Sequence, residues 1–485
     1  MTILSIDQGT TSSRAILFSE EGKPIEVRQK ELKLYYPHKG WVEQDANDIW
    51  ADTLWACEEI ISDHEGIKAL GITNQRETTI LWNKNTGEPL YNAIVWQDRR
   101  TADVCSSLKD TGVEPLIQRK TGLLLDPYFS GTKIAWILDN VEGARVLAEQ
   151  GDVLFGTVDS FLIWRLTEGR VHATDITNAS RTMLYDVVEQ RWDEELCRIF
   201  NVPMAMLPMV KDNVDDFGQA TVLSQPLHIW GVAGDQQAAM IGQACFEKGM
   251  MKSTYGTGCF ALMNIGDEFK VSQNRLLTTV AYRINGDITY ALEGSIFVAG
   301  AAIQWLRDNL NIFKDASESE ALALSVEDSN GVVFVPAFTG LGAPYWNPNA
   351  RAAILGLTRE SNKAHIVRAA LEAQAFQTYD LMDAMERDSG INSKAIRVDG
   401  GLVKNKFVCQ FLADVLDVRI DVPAVTETTA LGVAYLAGIG AGVYRDFHDI
   451  SDRWHVAQTY SPQMDDSVRS ESLSLWKISV DLVNR

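Results

Sequence analysis

The chain opens on an apolar run at residues 3–6, breaks into the small polar stretch 7–13 (DQGTTSS), and returns to apolar residues at 15–18. Strand, small-residue turn and strand in that order predict a β-hairpin. Extended stretches recur at 69–73 and 78–82, the second closed by the turn residues Asn85, Thr86 and Gly87. Apolar residues at helical spacing predict helices over 46–61 and 132–147. Near residue 250 the opening pattern restarts: 250–254, then Tyr255-Gly256-Thr257-Gly258, then 259–263. A second hairpin with a Gly-Thr turn, about midway, suggests two halves of similar architecture. Residues 395–401 (AIRVDGG) read as a strand ending in a glycine pair, where backbone can approach a ligand closely, ahead of a helical stretch at 405–416. The length of 485 residues calls for at least two domains. The boundary is placed between Gly242 and Met250, giving units 1–247 and 248–485.

Hydrophobic residues at 46% and charged residues at 22% describe an ordinary globular chain. The formal charge of −21 excludes the electrostatic footprint of a nucleic-acid binder. The first residues carry no basic leader, and no apolar run approaches the length of a bilayer span, so no membrane insertion is expected and the cytoplasm is the expected location. Six cysteines without a CxxC pair and seven histidines without ligand spacing speak for buried thiols and against a structural zinc site.

Three segments can carry chemistry. In 7–13, glycine and small hydroxyl residues leave backbone N–H groups open to phosphate oxygens, and Asp7 at the strand end can hold Mg²⁺ through water. An exposed hairpin turn has the same composition. No G-x-x-x-x-G-K-[ST] occurs, so a P-loop enzyme is excluded as the simple explanation. In 231–239 an apolar strand reaches Asp235 as a helix starts. Asp235 can be a helix N-cap, a base that takes the proton of an attacking hydroxyl, or both. In 74–78, Arg76 and Glu77 would point to opposite faces of a regular strand and reach one small ligand only if the backbone leaves strand geometry. An incidental surface ion pair is the alternative. Trp96 and Phe260 can be core aromatics or ligand walls.

These segments resemble the FGGY carbohydrate kinases. The stretch 128–140 (YFSGTKIAWILDN) is similar to one family signature and 352–372 to the other. Further matches at 72–79, 234–237, 255–260 and 336–346 are similar to the members of the family that act on glycerol. In order, the resemblance covers residues 3 to about 440. It implies an α/β fold of two actin-like, ribonuclease-H-type domains flanking a catalytic cleft. The implied activity is transfer of a phosphoryl group from ATP to glycerol, giving sn-glycerol 3-phosphate and ADP, with Mg²⁺ as cofactor. By position, the resemblance assigns glycerol binding to Arg76, Glu77, Tyr128, Asp235 and Gln236, with Trp96 and Phe260 as apolar walls, and makes Asp235 the base. It assigns the nucleotide to Thr10, Thr11, Ser12, Arg14, Thr257, Gly300, Gln304, Gly401 and Asn405, and the metal to Asp7 through water and to Asp235. A homo-oligomer, dimer or tetramer, is the expected assembly. The stretch 218–226 lacks the arginine-bearing glycine loop through which some members are inhibited by a sugar bisphosphate, so that regulation is not expected. Two other readings stay open: a kinase for another small polyol or a ketose, and a nucleotide-driven binding protein of the actin and chaperone type.

Overall fold

The computed structural model describes residues 1–347 and 349–485. Two sheets dominate. The first contains β1 (Thr2–Gln8), β2 (Ser12–Ser19), β3 (Pro24–Glu31), β4 (Ile67–Asn74), β5 (Gln219–Ala220) and β6 (Leu227–Gly234), in the order β3-β2-β1-β4-β6-β5. The second contains β7 (Met250–Tyr255), β8 (Cys259–Gly266), β9 (Leu277–Ile284), β10 (Asp287–Ile296), β11 (Ala395–Asp399), β12 (Arg419–Pro423) and β13 (Val456–Tyr460), in the order β9-β10-β8-β7-β11-β12-β13. Laying β7 on β1 superposes the two pairing schemes. Each has an antiparallel hairpin, a third antiparallel strand beyond it, two parallel strands on the other side and an antiparallel edge. The repeated hairpin in the sequence is therefore the visible part of a duplicated α/β domain.

Because both faces of the first sheet are covered, its strands carry near-continuous apolar runs. Leu4, Ile6, Leu17, Leu70 and Ile72 face helix α1 (Ala46–Asp63), where Ile49, Ala56, Cys57 and Ile60 fill the layer. The helix expected over 132–147 is two: α2 (Ser130–Asn140) ends before Gly143, whose φ of 77° a continuing helix cannot adopt, and a second short helix begins at Ala144. Helix α3 (Asp235–Gly242) follows β6 directly. On the second sheet lie α4 (Gly300–Asp308), α5 (Lys363–Ser389) and α6 (Lys406–Leu416). Helix α7 (Thr428–Gly440) belongs to the second half of the chain yet packs on the far face of the first sheet, with Val433, Leu436 and Ala437 among Ile3, Ile16, Phe18 and Ala69. Helix α8 (Asp466–Val483) lies outside, against α6.

The two halves therefore share a core, and the seam is α3 against α7. A Cβ on Gly432 would stand 1.9 Å from the Ala238 carbonyl oxygen, and one on Gly242 1.9 Å from that of Thr428. Asp399 ties the two helices together at one end of the seam, its Oδ2 accepting from Gln243 at 2.8 Å and Thr428 at 2.7 Å. In the glycine pair expected to let backbone approach a ligand, Gly400 packs on the second hairpin: with φ of 95°, its Cβ would stand 2.4 Å from Tyr255 O. Its neighbour Gly401 meets nothing.

The seam gives a direct test. Gly432→Ala should lower the denaturant midpoint by the equivalent of about 1–3 kcal/mol or more, the usual cost of overpacking against backbone. An unchanged midpoint contradicts the close contact.

Candidate active site

Strands β1, β4 and β6 run parallel, with Asp7 opposite Thr73, Gln8 opposite Asn74, and Asn74 opposite Gly234. Their carboxyl ends lie side by side, so the three loops that leave them converge on one place. Such a crevice is where open α/β sheets place ligands.

After Asn74 the strand stops. Thr78 donates its N–H to Arg76 O at 2.7 Å, and Glu77 takes φ of 60°, a conformation that costs a non-glycine residue about 1–3 kcal/mol. The turn brings Arg76 and Glu77 inward together, Nε to Oε1 at 3.9 Å. Gln75 locks it to the first hairpin by its N–H to Gln8 O at 2.7 Å and its Nε2 to Gln44 Oε1 at 2.8 Å.

Asp235 is the first residue of α3, while Gly234 holds the N-cap position, so the capping role open to Asp235 falls to its neighbour. Its Oδ1 accepts the Gln236 N–H at 2.7 Å and lies 3.2 Å from Arg76 Nε. The Asp235 side chain is 31% exposed against 2% for Arg76, which makes it the group of the pair that faces the opening. Beside them three rings meet edge to face, Trp96 with Tyr128 at 5.5 Å and with Phe260 at 6.2 Å. Trp96 Nε1 donates to Thr10 Oγ1 at 2.8 Å. Burial, then the nearby Glu77 carboxylate, pushes the Tyr128 phenol up, so it stays a neutral donor.

On the first hairpin, Arg14 bonds to Asp7 and, at 2.8 Å, to Glu427. Arg14 therefore already holds two carboxylates in this state. Burial raises the Asp7 pKa, Arg14 opposes this, and the charges of Glu427 and Asp235 add to the rise. Thr11 is exposed at the turn, with Thr10 and Ser12 half-buried. Across the chain, Thr257, Gly300, Gln304, Gly401 and Asn405 all line one cavity of about 550 Å³, together with Arg307 and Glu320. Helix α4 starts on the second hairpin, Gly300 N–H donating to Gly256 O at 3.0 Å, and Asn405 Oδ1 caps α6 through Val408 N–H at 3.2 Å.

Four charged residues at the site were not singled out from the sequence. Arg181 donates from Nε to Glu77 Oε1 at 2.5 Å and from Nη2 to Glu293 Oε1 at 2.8 Å. Glu293, on β10, accepts from Arg76 Nη1 at 2.6 Å. Burial opposes the ionised Glu293, yet Arg181 and Arg76 outweigh it and hold the carboxyl at about 2. Lys252, on β7, bonds to Gln236 and, at 3.0 Å, to Thr254. Lys133, pushed down to about 8 by burial, holds the Tyr128 carbonyl at 2.6 Å. The available signal was a lone charge inside an apolar strand, as in 290–294 (YALEG) and 250–254 (MMKST).

Below the site, Asp175 collects Thr177 N–H at 2.6 Å, Asn178 Nδ2 at 2.7 Å and Asn213 Nδ2 at 2.8 Å. Thr177 Oγ1 accepts the Gly234 N–H at 2.9 Å, and Asn178 exchanges bonds with Asn74 at 3.0 Å. This buried polar floor fixes the ends of β4 and β6.

Comparison with known proteins gives the family. A model for the FGGY family of carbohydrate kinases, N-terminal domain, matches residues 2–242, and one for the C-terminal domain of the same family matches 251–441. Glycerol kinase of Nitrosomonas eutropha is 58% identical over 484 residues, covering 99% of this chain and 97% of its own. Glycerol kinase 1 of Pseudomonas aeruginosa is 54% identical over 485 residues, covering 99% and 98%. The crystal structure of Plasmodium falciparum glycerol kinase with ADP superposes with a TM-score of 0.95 at 38% identity, covering 99% and 98% of the two chains. A xylulose kinase from Lactobacillus acidophilus, at 22% identity and a TM-score of 0.90 over 100% and 98%, shares the fold.

The polar floor makes stability depend on pH. Burial raises both carboxyls of the pair formed by Asp175 and its neighbour Asp159, so between the unfolded value near 3.8 and the raised folded values the folded chain keeps protons that the unfolded chain has released. Between those values the folded state binds more protons, and the contribution to stability falls as pH rises. Asp159→Asn should reduce that slope in denaturant titrations on the acid side of neutrality, with the raised Asp175 carboxyl keeping the remainder. An unaltered slope contradicts the buried proton.

Proposed function

The chain belongs to the FGGY family of carbohydrate kinases, and on that premise we propose how its cleft phosphorylates glycerol. The activity is ATP-dependent phosphorylation of glycerol, a phosphotransfer to an alcohol. Neither a ketose kinase nor an actin-like binding protein is favoured. The observation that carries the site assignment is Arg76 Nε at 3.2 Å from Asp235 Oδ1, beside the rings of Trp96, Tyr128 and Phe260.

In this reading Arg76 and Glu77 grip two hydroxyls of glycerol, Tyr128 and Gln236 add polar contacts, and the aromatic faces cover its CH groups. A missing hydroxyl would strand a buried partner, which gives selectivity. Asp235 takes the proton as the third hydroxyl oxygen attacks the γ-phosphorus in line and the bond to the β-phosphate oxygen breaks, releasing ADP. The nucleotide lies along the cavity of Thr257, Gly300, Gln304, Gly401 and Asn405, its phosphates reaching the turn of Thr10, Thr11 and Ser12. Arg14 serves the phosphates after exchanging Asp7 or Glu427 for them.

Mg²⁺ fits the donor set. Asp7 and Asp235 repel one another across the crevice, and a cation that needs only one or two carboxylates beside phosphate oxygens and water relieves that repulsion. When bound, the metal supplies charge neutralisation on the phosphates. We take 1–247 and 248–485 as the two domains and the cytoplasm as the location. No helix among the described residues is long and apolar enough to cross a membrane. A homo-oligomer is proposed on the exposed stripe of Val468, Leu475, Ile478 and Leu482 along α8, whose spacing presents one apolar face.

Asp235→Asn should leave folding and glycerol binding intact while lowering turnover by about two to four orders of magnitude. Near-normal turnover refutes the base. Arg76→Ala should raise KM for glycerol, and an unchanged KM rejects the grip. Glycerol, dihydroxyacetone, erythritol and xylulose assayed side by side should rank glycerol first, and better turnover of xylulose would overturn the pocket. Sedimentation should show an oligomer that Ile478→Asp dissociates. A monomeric wild type removes the stripe as an interface.

A further inference from the structure

The glycerol grip is not self-supporting. Arg76 has five N–H groups. Nη1 donates to Glu293 Oε2 at 2.6 Å and to Gln237 Oε1 at 3.2 Å, one Nη2 hydrogen goes to Glu293 Oε1 at 3.3 Å, and Nε faces Asp235. One Nη2 N–H is left. Glu77 gives Oε1 to Arg181, and no hydrogen bond among the described residues reaches its Oε2. The residual valences of Arg76 and Glu77 are thus one donor and one acceptor, the pair a vicinal diol requires.

Those valences are set by a closed ring of four charges, Arg76–Glu293–Arg181–Glu77, every side chain at most 2% exposed. Three members stand on the first half of the chain, and Glu293 reaches across from β10 of the second. As a stabilising device such a ring is poor, because burying four charges costs about as much as their attraction returns. Arg181 even leaves Nη1 buried without a hydrogen-bond partner, facing the rings of Tyr128 and Phe129 at 5.6 and 5.2 Å. As an orienting device it is effective. Without Glu293, three N–H groups of Arg76 would be free, and two carboxylates stand within reach of them, Asp235, already 3.2 Å from Nε, and Glu77 at 3.9 Å.

We infer that Glu293, held by Arg181, is a positioning residue for the acceptor alcohol: it claims the Nη1–Nη2 edge of Arg76, limits the contact with Asp235 to Nε, and leaves a single N–H for glycerol. The inference rests on the proposed role of Arg76 in the glycerol pocket. It makes that pocket depend on both halves of the chain, because the grip is in register only while β10 lies against the turn at residues 75–78.

The test is steady-state kinetics of Glu293→Gln beside the charge-balanced Arg181→Met/Glu293→Gln double variant. In Glu293→Gln, KM for glycerol should rise about tenfold to a hundredfold, the range for a lost charged hydrogen bond, while KM for ATP stays within about twofold. The preference for glycerol over 1,2-propanediol should shrink with it, since the gripped hydroxyl is the one that diol lacks. Net charge in the ring is restored in the double variant, so its thermal midpoint should recover while the glycerol KM does not. Recovery of both would reduce Glu293 to charge balance and overturn the inference. So would a wild-type glycerol KM in Glu293→Gln, or equal losses for glycerol and ATP. Should Glu293→Gln fail to fold, the double variant carries the same readout. Wild-type protein without glycerol-dependent ADP release would instead remove the functional reading itself.

Discussion

Four charges buried at one point can persist only if each is paired, and the pairing of Arg76, Glu77, Arg181 and Glu293 constrains everything around it. The pairing needs Glu77 in a left-handed conformation, because a regular strand would carry it to the other face. That conformation needs the turn after β4, and the turn needs Gln75 bonded into the first hairpin. It also needs β10 at a fixed distance, so the seam of α3 against α7, with glycines where backbones touch, becomes part of the site's construction. The geometry of a few polar atoms is thereby sustained by the packing of the whole molecule.

Duplication explains why a cleft exists at all. Each half presents a hairpin and two parallel strands with carboxyl ends facing the same crevice. The first half offers most of the acidic and aromatic pocket, to which the second adds Phe260 and Glu293 beside a cavity of about 550 Å³. With −21 formal charges overall, the proposed binding of a polyanionic substrate rests on backbone amides, Arg14 and a divalent cation rather than on a basic surface.

Much of this is legible in the residues alone. Period and turn residues locate both hairpins, and the conflict between Arg76 and Glu77 on a regular strand points to a break in strand geometry. Other features are not. The helix over 132–147 looks continuous because apolar spacing carries through Gly143, and only its positive φ interrupts it. Asp235 reads as a cap because local sequence does not say which of two adjacent residues adopts extended geometry; Gly234 does. The glycine pair 400–401 reads as one turn open to a ligand, and the sequence does not show that Gly400 packs on the backbone of Tyr255, far away in the chain. Glu293 is a lone charge in an apolar strand, which shows that a partner exists without showing which one, and Arg181 sits in a polar turn after residue 179 where nothing local marks it as buried.

The central claim is that an alcohol sits between Arg76, Glu77 and Asp235 with its reactive oxygen toward the nucleotide cavity. A crystal structure with glycerol and a non-hydrolysable ATP analogue tests it most directly. The account predicts one glycerol hydroxyl within hydrogen-bonding distance of Asp235 and facing the γ-phosphate, and the other two held by Arg76 Nη2 and Glu77 Oε2. Glycerol bound away from Arg76, or a γ-phosphate that never enters the crevice beside Asp235, would contradict it.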